Sequence, residues 1–198
     1  GVPLMLELRF HGRGGQGTVL AAKMLADAVL KAGRGWCMAI PEFGVERRGA
    51  PVVAYARISE APIRVRSRIY EPDAVVILDP AAVRGGAPLA GLKPGGLVLV
   101  SSELPEAELA KRWPGRRIAA IPAGSIALAH RLGPAASPLV NTAMTGAVCA
   151  LFDLADVESV ARAVREAVPI KPAENEAAAR EAFAFALPLR EGVHASAH

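Results

Sequence analysis

The run His11-Gly12-Arg13-Gly14-Gly15-Gln16-Gly17-Thr18 gathers the residue types that could meet a phosphate. Gly12, Gly14 and Gly17 fit the spacing G-x-G-x-x-G, after an apolar stretch from Leu4 to Phe10 and before an amphipathic one from Thr18 to Ala32. In that context the chemistry is anion binding: loop amides and a helix N-terminus face a phosphate, with Arg13 as countercharge. Glu42 lies past the next strand, slightly late but near where an acid would bind ribose hydroxyls. Glycines at such density are costly in backbone entropy. A phosphate, a partner subunit or the chain's own backbone, approaching closely in a sharp turn, are the three readings of why they are there.

Other polar residues have two readings each. Gln16 and Thr18 either bond a ligand or cap the helix. His11, at the end of its strand, is a working residue, or a solvent-facing or backbone-bonded one. In the segment 42–49, Glu46, Arg47 and Arg48 form an ion-pair latch, touch a partner or stay solvated. Asn141 and Thr142, ahead of an apolar run, read as an N-cap. No nucleophile–base pair stands out: Ser67, Ser101, Ser102 and Ser125 lack the G-x-S-x-G elbow, and Asp79 and Glu103 give no acid/base spacing. Cys37 and Cys149 have no C-x-x-C partner and read as buried inert thiols. His11, His130, His194 and His198 show no metal-ligand spacing.

The elements that must position these residues follow from periodicity. A strand over 4–10, the glycine loop, a helix over 17–32 and a strand Trp36 to Ile40 form a βαβ unit with parallel strands. On the helix, Lys23, Asp27 and Lys31 make a polar stripe opposite Leu20, Met24, Leu25, Ala28 and Val29. Val52 to Ile58 is a strand. The alternation of Ile63, Val65, Ser67 and Ile69 with Arg64, Arg66 and Arg68 predicts a second strand, pairing with the first as an antiparallel hairpin. Ala74 to Leu78 and Leu97 to Val100 read as strands buried on both faces, Ile118 to Ile121 as a further strand, and Glu106 to Trp113 as a short helix. Gly124 to Leu132 and Val140 to Leu151 are apolar enough for buried helices. Asp156 caps a helix over 157–167, and a last helix runs from Ala173 to about Leu187.

The fold class expected is α/β: a Rossmann-like three-layer arrangement, the sheet mostly parallel with an antiparallel hairpin and helices on both faces. One domain is expected over residues 1–198, with its core from about 5 to 187 and flexible ends. The chain is 52% hydrophobic and 5% aromatic, so an aliphatic core is expected. No apolar run reaches the roughly 18 residues of a membrane span, and no signal-peptide pattern is present; a soluble, cytoplasmic chain is expected, away from membranes. The net charge of +4 is uneven. Residues 1–70 hold 11 Lys and Arg against 5 Asp and Glu, whereas 71–198 hold 12 against 14. A basic surface suits a phosphorylated ligand or an acidic protein; without interleaved aromatics, nucleic acid is not expected.

Four stretches carry a resemblance: Arg9 to Gly17, the block Pro41-Glu42-Phe43-Gly44-Val45-Glu46-Arg47-Arg48-Gly49-Ala50-Pro51-Val52, Ile69 to Asp73, and Val140 to Ala147. Together they resemble the gamma subunit of pyruvate (2-oxoacid):ferredoxin oxidoreductases, over about residues 5–185. The resemblance implies a complex that oxidatively decarboxylates a 2-oxoacid, captures the acyl group on coenzyme A and reduces ferredoxin. It implies alpha, beta and delta subunits as partners, with thiamine diphosphate and 4Fe-4S clusters held by chains other than this one. For this chain two roles follow. It is a structural and gating subunit, whose glycine loop and arginine hairpin pack on the catalytic subunits, or it also receives coenzyme A. The phosphates of coenzyme A would suit the loop amides with Arg13, Arg47 and Arg48, and the full set of cofactor-binding candidates is Gly12, Arg13, Gly14, Gly15, Gln16, Gly17, Thr18, Glu42, Arg47, Arg48 and Asn141. A free-standing NAD(P)- or flavin-binding Rossmann protein is the alternative from outside the family.

Overall fold

The computed structural model describes residues 5–42, 47–79, 81 and 86–195, with the side chains of 194 and 195 left aside. Six strands form one sheet: β1 (Met5–Arg13), β2 (Trp36–Pro41), β3 (Pro51–Ser59), β4 (Ala74–Ile77), β5 (Leu97–Ser101) and β6 (Arg117–Ile121). Their spatial order is β2-β3-β1-β4-β5-β6. β3 runs antiparallel to both β2 and β1, while β1, β4, β5 and β6 pair in parallel. All strands except β3 therefore point the same way.

This order modifies two expectations. β1 and β2 are parallel in direction, as expected of a βαβ unit, but β3 is inserted between them. The antiparallel pairing of β3 is with these two strands, not with residues 63–69. That stretch carries no strand; it lies over β3 and β1 as an irregular strap. Its carbonyls are taken instead by arginine side chains: Arg57 donates to Val65, Ser67 and Arg68, and Arg9 donates to Ile69.

Period-2 alternation sorts the strands onto two faces. Leu8 and Phe10 of β1, Ala54, Ala56 and Ile58 of β3, and Ala74 and Val76 of β4 enter the larger core. Five helices cover that face: α1 (Thr18–Ala32), α3 (Ala123–Ala129), α4 (Asn141–Leu151), α5 (Val157–Ala167) and α6 (Pro172–Ala186). On α1 the small and aliphatic positions Ala21, Ala22, Met24, Leu25, Ala28 and Val29 are buried, and Gly33 ends it at φ 65°. α4 is buried at every position. A Cβ at its Gly146 would overlap the Ala179 carbonyl, so glycine lets α4 and α6 approach closely. Asp156 caps α5 as expected, accepting from Ser159 N at 3.1 Å. α3 is shorter and more exposed than expected, with Leu128 open to solvent. A short α7 (Arg190–Ala195) follows a 3-10 turn after α6.

The opposite face is split. Over β4, β5 and β6, Val75, Ile77, Val98 and Val100 pack under Leu89, Leu92, Trp113 and Leu109 of α2 (Glu106–Arg112). Over β1 and β3 the same face carries Glu7, Arg9, His11, Tyr55 and Arg57. Its cover there is the strap, bound from below by Arg9 and Arg57. No helix among the described residues is long and apolar enough to cross a membrane.

Candidate functional site

β1 continues three residues further than its hydrophobic pattern, to Arg13, because its ladder with β3 extends to Arg13 opposite Pro51. His11, Gly12 and Arg13 are therefore strand residues, and the turn itself is Gly14 to Gly17. It lies where β1 and β4 end side by side. From there the chain leaves in opposite directions, through α1 toward β2 and from β4 toward β5 and β6. Open α/β sheets place ligands outside such a switch point.

Each glycine of the motif answers to a neighbour in this chain. A Cβ on Gly12 would overlap the Thr18 hydroxyl, and one on Gly14 would overlap the Arg47 carbonyl oxygen. Gly17 is the N-cap of α1 at φ 73°, and a Cβ there would overlap the Asn141 amide. Gly15, at φ 91°, is needed for its backbone conformation and is exposed. Main-chain bonds lock the turn to the segment before β3. Gly14 N donates to Ala50 O at 2.8 Å and Gly49 N to Gly14 O at 3.1 Å. Gln16 closes the turn rather than capping the helix, its Oε1 accepting from Arg13 N at 2.7 Å.

Asn141 departs from its expected role. The cap position of α4 is Val140 and no side chain caps that helix. Asn141 is its first residue, and its Nδ2 donates to Gly17 O at a long 3.5 Å, tying α4 to the start of α1. Thr18 is also not a cap; it opens α1, is only 2% exposed, and its hydroxyl is buried without a partner. Both helices thus begin beside each other without side-chain caps, with first-turn amides and positive dipole ends close together.

The charged candidates are divided. Arg13 is joined to Asp79, at the end of β4, by a 2.8 Å ion pair. Arg47 and Arg48 are exposed and make no ion pair among the described residues. The expected latch involving Glu46 lies outside the described residues, as do Phe43, Gly44 and Val45. Glu42 is bonded to Arg68 at 3.0 Å and also to Tyr55. With β3 between β2 and β1, the end of β2 that carries Glu42 lies two strand spacings from β1 instead of one, displaced by roughly 5 Å from where a dinucleotide's ribose would lie. The sheet order therefore does not suit the ribose role for Glu42.

Sequence reasoning gave no role to Arg9, Tyr55 or Arg57. Arg9 is buried, and donates to the carbonyls of Pro88 at 2.9 Å and Ala90 at 2.5 Å as well as to the strap. Its Nε donates to His11 Nε2 at 3.0 Å. Arginine cannot accept, so His11 Nε2 is the acceptor, and the neutral ring carries its proton on Nδ1. Burial, with the Arg9 charge adding to it, pushes the His11 pKa down to about 3. Arg57 is tied to Glu7 at 2.9 Å. The available signal was the polar alternation Glu7, Arg9, His11, Arg13 on an otherwise apolar strand.

Cys37 and Cys149 are free thiols, the first half-buried and the second buried. Burial pushes Cys37 up to about 12 and Cys149 higher still. Two such thiols do not fit an iron–sulfur cluster, which takes four thiolates. Among the described residues no group of three or more His, Cys, Asp and Glu could hold a metal ion.

Residues 7–185 match the family model of pyruvate ferredoxin/flavodoxin oxidoreductase. The chain is 48% identical over 183 residues to the pyruvate/ketoisovalerate oxidoreductases common subunit gamma of Thermococcus kodakarensis, covering 90% of this chain and 96% of that one. It is 42% identical over 177 residues to pyruvate synthase subunit PorC of Methanocaldococcus jannaschii, covering 89% and 94%. The crystal structure of pyruvate oxidoreductase subunit PORC from Thermotoga maritima superposes with a TM-score of 0.75 at 29% identity, covering 91% of this chain and 96% of that one. With family model, curated relatives and solved fold in agreement over nearly the same span, the chain belongs to the pyruvate ferredoxin/flavodoxin oxidoreductase family.

Proposed function

We propose that this chain is the gamma subunit of a 2-oxoacid:ferredoxin oxidoreductase, with pyruvate the first candidate substrate. The complex would cleave the bond between the carboxylate and carbonyl carbons of the 2-oxoacid, release carbon dioxide, pass the electrons to ferredoxin and transfer the acyl group to the thiol of coenzyme A. Thiamine diphosphate and 4Fe-4S clusters would be held by alpha, beta and delta subunits or their equivalents. The gamma chain would be a structural and gating subunit in the cytoplasm.

The observation that carries the structural role is the closure of the glycine turn on its own chain. Gly12, Gly14 and Gly17 are accounted for by Thr18, Arg47 and Asn141. The result is a rigid turn that fixes β1, α1, α4 and the segment 47–50 relative to one another. This favours a docking element over a dinucleotide cradle, and with it a subunit over a free-standing NAD(P) or flavin protein.

A second role, contact with coenzyme A, is supported by the uncapped start of α1, the unpartnered Thr18 hydroxyl and the exposed Arg47 and Arg48. Phosphates of coenzyme A suit first-turn amides and guanidinium groups. Titrating coenzyme A into the assembled complex tests it. Replacing Arg47 and Arg48 together with Ala is expected to weaken binding roughly tenfold, the loss of about one charge-assisted contact. An unchanged dissociation constant would leave the packing role alone.

A further inference from the structure

The strap from Pro62 to Tyr70 has two sides in different states. Its lower side is fixed: Arg57 holds the carbonyls of Val65, Ser67 and Arg68, and Arg9 holds that of Ile69. Its main-chain amides from Ile63 to Tyr70 donate to no acceptor among the described residues. Arg64, Val65, Arg66 and Arg68 are exposed, and Tyr70 is 72% exposed. Arg68 is paired with Glu42, whereas Arg64 and Arg66 have no acid among the described residues. Over residues 47–68 six arginines face a single acid, Glu60.

We propose that the strap is the docking surface for an acidic, extended segment of a partner subunit in the oxidoreductase complex. The inference rests on the reading of this chain as a subunit and adds where one partner binds and by what chemistry. Carboxylates of the partner pair with the guanidinium groups of Arg64 and Arg66, and its carbonyls accept from the free strap amides, the donors an added strand requires. Arg57 and Arg9 fix the strap in place beforehand, so little ordering remains to be done on docking. Tyr70 supplies the aromatic contact common at such interfaces. A nucleic acid would call for interleaved aromatic platforms, and Tyr70 is the single aromatic of the strap.

The test co-expresses the subunits and measures how much of this chain is retained on a tagged partner at about 0.15 M salt, where exposed charges act over roughly 8 Å. Arg64→Glu with Arg66→Glu is expected to lower retention at least about tenfold, because like charges now face the partner's acids. Arg64→Lys with Arg66→Lys keeps the charge and is expected to be retained. Carbodiimide should then join position 64 or 66 to a partner carboxylate. Lys23→Glu with Arg162→Glu, the same charge change on exposed positions of α1 and α5, should leave retention unchanged. Full retention of the strap reversal, or cross-links of those positions to no partner carboxylate, would overturn the proposal while the subunit reading stands. So would loss of binding to a nucleic-acid homopolymer or to phosphatidylserine vesicles by the reversed variant with assembly intact. No partner for the unaltered chain would instead overturn the subunit reading.

Discussion

Gly17 and Asn141 meet face to face: the αL glycine that starts α1 lies against the first side chain of α4, leaving no room for a Cβ between them. Gly17→Ala therefore adds both left-handed backbone strain, about 1–2 kcal/mol, and an overlap worth about 1–3 kcal/mol. Combining it with Asn141→Ala should remove most of the overlap and leave the backbone part. Urea unfolding of the four proteins in a double-mutant cycle reads the difference. Additive losses would mean that the two residues do not press on each other.

Gly14 and Gly15 are neighbours with different reasons to be glycine. Gly14→Ala drives a methyl into the Arg47 carbonyl and should displace the 47–50 turn, costing about 2–4 kcal/mol of stability. Gly15→Ala meets only Arg48 Cγ, at an ordinary van der Waals distance of 3.9 Å, and should cost only about 1–2 kcal/mol through its positive φ. Equal losses in chemical denaturation would contradict this division.

His11 should make the fold acid-sensitive. Its folded pKa is about 3, below the ordinary value of 6.5. The unfolded chain therefore takes up a proton that the native chain refuses, and stability is full above about pH 6.5 and falls as pH drops toward 3. The slope from this group approaches about 1.4 kcal/mol per pH unit. A His11→Asn variant, unable to titrate, should show a shallower decline than the unaltered chain over that window. Parallel curves would mean that His11 is not held neutral.

Arg57 should control the strap. Without it, three strap carbonyls and Glu7 lose their donor. Arg57→Met is expected to release the segment locally and to speed tryptic cleavage after Arg64, Arg66 and Arg68 several-fold. Mass spectrometry of the early digest identifies the sites. Unchanged cleavage there would show that the strap is held by other contacts.

These relationships explain which features were legible in the sequence. The apolar runs of β4 and β5, the alternating helix α1 and the Asp156 cap each rest on local chemistry, and each falls where its pattern places it. The strap was misread because Ile63, Val65 and Ile69 alternate with arginines as a strand would, and periodicity does not distinguish a ladder from carbonyls held by Arg57 and Arg9. The insertion of β3 between β1 and β2 is a long-range pairing without a local signal. It is also what carries Glu42 away from the glycine turn. Asn141 looked like a cap because Asn before an apolar helix commonly is one; its contact with Gly17 spans 124 residues of sequence. At the turn, the G-x-G-x-x-G spacing identified the glycines but not their neighbours, and it is the neighbours that close the turn on its own chain.

The subunit reading is tested most directly by recovering the affinity-tagged chain from its native host and identifying what accompanies it by mass spectrometry. The expected result is co-elution with larger subunits that carry thiamine diphosphate and iron–sulfur clusters, together with coenzyme A-dependent oxidation of a 2-oxoacid. Recovery of a solitary, active protein that binds a nicotinamide cofactor would contradict it.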